Sequence, residues 1–403
     1  MTALCVAAAT EAAAQTPPQD SVVLNQQLQL GDVFSHQTIN VVDAQDQVTA
    51  QTSARGNTAS GAVEGGAIMV RSDQDMRGDA TARTDAVLDG DTHGEVNVTT
   101  QAGGNVLAVS AYDADLSTDA AQINSGGLVS AISEVGDSAA RLHAGGNVAA
   151  SAISNAVALY GEGSLLEGDV DQSNAATVRS FSRIRSQYIP AEAAATAETI
   201  GNAVAATSGQ TSGQDLVIVQ SSTGEFLEAD ASASAGNAWD LAARARATAN
   251  QAVLHNEGGS VVAASVQNNT SFVRAPALTS AYDYGRAESY ARGAANELSV
   301  GNNDIYVEID NSQFNSGGVD VSATFSGTNG YDVYVGADAV GNAVTGYACA
   351  DCEGYLEATN VQTNNGDVAA RATSTVAGSG RAVIAGANAV GNSATFYVSG
   401  PSH

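Results

Sequence analysis

The stretch Val319-Asp320-Val321-Ser322-Ala323-Thr324-Phe325, followed by Asp332-Val333-Tyr334-Val335-Gly336-Ala337-Asp338-Ala339-Val340-Gly341-Asn342, decides the fold class. In both runs apolar and polar residues alternate, the mark of a strand with one buried and one wet face. Residues 304–310 read the same way, with Ile305, Val307 and Ile309 on one side and Asp304, Tyr306, Glu308 and Asp310 on the other. Short alternating runs gathered in one region predict β structure, and the Gly-Asn step that ends the quoted stretch shows how the runs are organised.

That step returns at Asn57, Asn105, Asn147, Asn202, Asn237, Asn302, Asn342 and Asn392, each preceded by glycine. Self-similarity on this scale marks a repeat architecture. The spacings of 48, 42, 55, 35, 65, 40 and 50 residues are too uneven for blades that must close a ring, so they favour a stack that tolerates insertions. A second element precedes many strands, as in Gln122-Ile123-Asn124-Ser125-Gly126-Gly127, Gln313-Phe314-Asn315-Ser316-Gly317-Gly318 and Gln362-Thr363-Asn364-Asn365-Gly366-Asp367. Gly and Asn tolerate a left-handed backbone, so both elements read as turns. Two turns per unit predict roughly two coils of about 20 to 25 residues each, hence an all-β parallel solenoid (β-helix) of irregular repeats. Small side chains would fill its narrow interior, and Asn and Gln at equivalent positions would form amide ladders along the axis. The alanine-rich stretch 191–206 competes as a short helix, interrupted by Gly201-Asn202.

The termini of the stack need separate treatment. Residues 1–14 resemble the apolar segment and small-residue cleavage site of a signal peptide without its basic start, which reads as a truncated leader. Residues 15–55, richer in Gln and in larger apolar side chains from 21 onward, read as an atypical N-terminal cap, because solenoid ends are open sheet edges. The repeat domain then runs over 56–403.

Composition narrows the function. All 15 basic residues are Arg, 43 residues are acidic, and the formal charge is −28. Such a surface repels nucleic acid and anionic lipid. Charged residues make up only 14% of the chain, so its composition departs from that of most disordered proteins. His36, His93, His143, His255 and His403 are scattered without metal or nucleophile-base spacing. Asp89-Gly90-Asp91 and the group Asp113, Asp115 and Asp119 lack the ligand series of a calcium loop and read as solvated turn carboxylates. Cys349 and Cys352 stand in a Cys-x-x-Cys pair with no second pair, which reads as a loop disulfide. No catalytic, metal or cofactor residue stands out, and the chain reads as non-enzymatic. A polysaccharide-degrading β-helix enzyme is the alternative, and a curli-like fibre subunit a third reading. Tyr306 and Tyr334, both outward in the alternation, are the candidate glycan contacts in a single aromatic stripe.

With its alanine-rich leader, units such as Gly236-Asn237-Ala238-Trp239 and Ala339-Val340-Gly341-Asn342-Ala343-Val344, and the ending Val390-Gly391-Asn392-Ser393-Ala394-Thr395-Phe396-Tyr397, the chain resembles the holdfast attachment family of stalked bacteria. That resemblance implies a secreted, surface-exposed protein, peripherally associated with the outer membrane at a cell pole. It further implies work alongside other holdfast-anchor proteins, and as a homo-oligomer, to tie an adhesive polysaccharide to the envelope.

Overall fold

A computed structural model describes residues 21–209, 211–304, 306–349 and 354–399. Within them the chain is all β with only parallel strand pairing, a parallel solenoid. No helix among these residues is long and apolar enough to cross a membrane. The alternation in 307–309, 319–325 and 332–339 holds: Val307, Ile309, Val319, Val321, Ala323, Phe325, Val333, Val335, Ala337 and Ala339 are all buried. The leader at 1–14 lies outside the described residues, as do Ile305, Cys352 and His403.

The repeat is longer than the turn signals suggested. Each unit is one coil of 46 to 50 residues rather than two short ones, as the hydrogen-bonded asparagines of neighbouring coils show. The discrepancy arises at the corners. Strands such as Val48–Met76 and Phe226–Asn256 pass round them without ending, so a Gly-Asn step bends a strand and does not separate two. The bend shows as one skipped register position: Arg55 pairs with Gly103 and Asn57 with Asn105, leaving Gly56 and Gly104 out.

Four runs make one coil, illustrated by 213–222, 226–235, 241–248 and 250–256. The first and fourth enclose one hydrophobic core, with Leu216, Ile218, Ala252 and Leu254. The second and third enclose another, lined by Leu227, Ala229, Ala231, Ala233, Leu241, Ala243, Ala245 and Ala247. Alanine dominates the second core, which demands small side chains at most inward positions. The same demand settles 191–206, which is strand, not helix: Ala193, Ala195 and Ala197 are fully buried there and pair in register with Leu241, Ala243 and Ala245. Tertiary packing overrides alanine's helix propensity.

Of the 15–55 segment read as a cap, the part from Ser21 onward supplies the first three runs of the stack. Ser21–Gln29 pairs with 68–76 and Val33–Val41 with 80–88, in the register used further along.

Between the two cores runs a polar waist. Gln27, Gln74, Gln122, Gln172, Gln220, Gln267, Gln313 and Gln362 form one ladder, each amide donating to the glutamine one coil before it at 2.7–2.8 Å. Asn57, Asn105, Asn155, Asn202, Asn250, Asn296, Asn342 and Asn392 form a second, each donating at 2.8 Å to the asparagine one coil after it. The ladders therefore run with opposite polarity, and their dipoles oppose. Each also clasps the facing run. Gln220 donates to the Gln251 carbonyl, just after a ladder asparagine, and Asn202 donates to the Ser221 carbonyl, just after a ladder glutamine. Every amide N–H of Asn202 and Gln220 is thus satisfied in the interior, as burial requires.

Candidate functional site

The asparagines singled out by their Gly-Asn steps separate into two groups. Asn57, Asn105, Asn202, Asn342 and Asn392 belong to the ladder. Asn147 is exposed and pairs with Asn97 and Ala194, and Asn237 is exposed at a corner. Asn302 is buried at the end of a fourth run, where it donates to the carbonyls of Gly259 and Tyr306. The ladder members that the step missed, Asn155, Asn250 and Asn296, follow Ser154, Ala249 and Ala295. The recognisable signal is a small residue before asparagine, with the carbonyl that receives its amide 18 to 21 residues on.

Tyr306 and Tyr334 do not share a stripe. Tyr306 opens a first run, is bonded to Glu308 at 2.7 Å and stacks on Tyr355 with ring centroids 5.6 Å apart. Tyr334 lies in a third run, paired in register with Glu288 and Ile384. First and third runs wall different cores, and two residues 28 positions apart on one coil cannot stack along the axis. Cys349 is buried, has a positive φ of 42° and is disulfide-bonded. Among the described residues no cluster of His, Cys, Asp and Glu could hold a metal ion.

Arginines stitch successive coils on the outer faces. Glu134 lies between Arg83 and Arg183, Glu228 between Arg179 and Arg274, and Glu288 receives Arg244 at 2.7 Å. Hydrogen bonding from Arg244 holds the Glu288 carboxyl below its usual range against its burial. Asp230 behaves differently. Burial pushes its carboxyl up and Glu228 adds to the shift, although Arg274, Arg179 and Arg183 oppose it. A raised carboxyl pKa destabilises the fold above the raised value and ceases to do so below the unfolded one. Asp230→Asn is therefore expected to raise the melting temperature at pH 7 and to leave it unchanged near pH 3, as calorimetry at both values would show.

The feature with the most chemistry is the corner between second and third runs. Ala238, Tyr284 and Gly330 share one register position and Asp240, Arg286 and Asp332 another, so Trp239, Gly285 and Tyr331 fall in one outward column between them. Trp239 is 61% exposed and Tyr331 52%. Across the glycine their rings meet at 71° with centroids 6.3 Å apart, forming a ridge. A Cβ at Gly285 would lie 2.5 Å from the Trp239 carbonyl oxygen and 2.8 Å from the indole, so this position requires glycine.

A hollow lies on each side of the ridge. One, of about 320 Å³, is lined by Tyr188, Pro190, Asn237, Asp283 and Tyr284. Tyr284 is buried, rests edge-on against Phe325 at 4.9 Å, and has a hydroxyl without a hydrogen-bond partner. Burial pushes that hydroxyl's pKa up. The other hollow, of about 490 Å³, is rimmed by Asp240, Arg286, Asp332 and Arg381. Arg286 reaches Asp240 at 3.6 Å, while Arg381 grips Asp332 and lies 5.5 Å over the Tyr331 ring. Trp239 was visible in the sequence as part of a repeat unit. Its partner Tyr331 lies two coils away, a relation that only the register reveals.

A family model described as HfaD, holdfast attachment protein D, matches residues 42–318. No curated protein and no solved structure matches the chain.

Proposed function

Because the chain belongs to the holdfast attachment protein D family, we propose that it works outside the cell as a rigid, non-enzymatic anchor. It ties an adhesive polysaccharide to the outer membrane at a cell pole, together with other anchor proteins. The observation that carries this reading is the continuous pair of amide ladders. Eight rungs at a spacing of about 4.8 Å give a strut roughly 34 Å long. Its coils are joined at the waist by buried hydrogen bonds and on the outside by Arg-carboxylate pairs. A load on one face is therefore shared along the axis, as attachment demands. The acidic surface suits an extracellular role near neutral glycan and disfavours adsorption to anionic lipid, so membrane association is peripheral and relies on partners.

Deletion of the gene tests the proposal. The expected result is adhesive made in normal amount but recovered in the medium rather than on the cells. Normal retention on the deleted cells would overturn the anchoring role.

A further inference from the structure

We propose that the two hollows flanking the Trp239–Tyr331 ridge are subsites for a neutral pyranose chain, which lies across the ridge with the apolar face of a sugar ring against each aromatic. The assignment rests on the attachment reading and specifies where, and to what chemistry, the chain attaches.

Three observations converge. The chain has a single tryptophan and few aromatics, yet its tryptophan stands mostly exposed beside an exposed tyrosine, an arrangement that burial does not explain. Aromatic rings that present one apolar face and a wet edge suit a ligand that also has an apolar face and polar edges. Although Trp239 and Tyr331 belong to coils two rungs apart, their ring centroids lie 6.3 Å from each other, the scale of adjacent linked pyranose rings. Polar groups border both hollows at the level of the ring edges. Asn237 and Asp283 line one and the Asp240–Arg286 and Asp332–Arg381 pairs rim the other, the few placed polar groups that give an apolar site its specificity.

Charge selects the class. Arg286 and Arg381 are each already committed to a carboxylate, and the chain carries a formal charge of −28, so a polyanionic glycan would meet repulsion without a free cation to offset it. A neutral chain avoids this cost.

Trp239 makes the test direct, because the emission of the only tryptophan reports on the site itself. The purified full chain is titrated with cellohexaose, with the N-acetylglucosamine hexasaccharide and with hexagalacturonate. The expected result is a saturable blue shift with a neutral hexasaccharide and none with hexagalacturonate. Tyr331→Ala should weaken binding about tenfold, and Trp239→Ala, followed by calorimetry, at least as much. Tyr306→Ser, outside the hollows, should bind as the parent does. No response to either neutral sugar, equal binding of the galacturonate, or full affinity in Tyr331→Ala would overturn the site. If cells lacking the gene shed their adhesive while the purified chain ignores neutral glycans, the anchoring role stands and this site does not.

Discussion

Replacing Asn202 with leucine is expected to lower unfolding free energy by about 3–5 kcal/mol, although leucine is apolar and has the same branched shape. Asn202 sits mid-ladder. It accepts from Asn155, donates to Asn250 and donates to the Ser221 carbonyl, each at 2.8 Å. Leucine leaves one N–H of Asn155 and the Oδ1 of Asn250 buried without partners and takes one bond from the carbonyl, at about 1–3 kcal/mol per stranded group. The natural comparison is Asn147→Leu. Asn147 also follows glycine, but it is exposed, and its replacement should change stability by no more than about 0.5 kcal/mol. Equilibrium denaturation of the two variants decides the matter. A mid-stack break should also weaken coupling between the coils on either side, because a repeat array is stabilised by its nearest-neighbour interfaces. Such uncoupling would appear as a broader transition. Equal stabilities for the two variants would mean that the ladder contributes nothing beyond the backbone pairing.

The contrast between Asn202 and Asn147 also shows how far the sequence could be read. Alternation in 319–325 and 332–339 was sufficient for strands, because a strand's buried face depends on residues two apart. A stack with axial amide ladders was likewise legible from the abundance of Gln and Asn. Coil length was not, since Gly56 and Gly104 look like turn residues and only the skipped register positions show that they bend an unbroken strand. The requirement at the bend is smallness rather than glycine: Ser154, Ala249 and Ala295 serve there too, which is why counting Gly-Asn steps gave uneven spacings for an even repeat. The aromatic ridge was illegible for a different reason. Trp239 and Tyr331 lie two 46-residue coils apart with Gly285 between them, so without the coil length nothing local aligns them. Tyr306 and Tyr334, which do look aligned in the alternation, lie in runs that wall different cores.

Phe325→Ala should be the most damaging single change in the alanine-lined core, at the upper end of the 3–5 kcal/mol range for Phe-to-Ala substitutions. Phe325 is fully buried in that core, with Thr279 and Ser374 in register on the adjoining coils and Tyr284 edge-on to its ring. A cavity made in an ordinary core is reduced when long neighbouring side chains move in. Here the register neighbours are the short side chains of Thr279 and Ser374 on backbones held at the fixed spacing of a parallel ladder, so little besides Tyr284 can move into the space. Phe325 also supports Tyr284 edge-on, and Tyr284 lines the hollow beside Trp239. Loss of the phenyl ring lets Tyr284 sink inward, which should weaken the tryptophan response to a neutral hexasaccharide even under conditions where the variant remains folded. Phe325→Leu, which keeps most of the volume, should retain more of both stability and response. Chemical denaturation and fluorescence titration of the two variants separate the effects. A loss below about 1 kcal/mol in Phe325→Ala would mean that the lobe collapses to fill the gap. In that case the ladders would not hold the coils rigid, and the strut on which attachment depends would be softer than its hydrogen bonding implies.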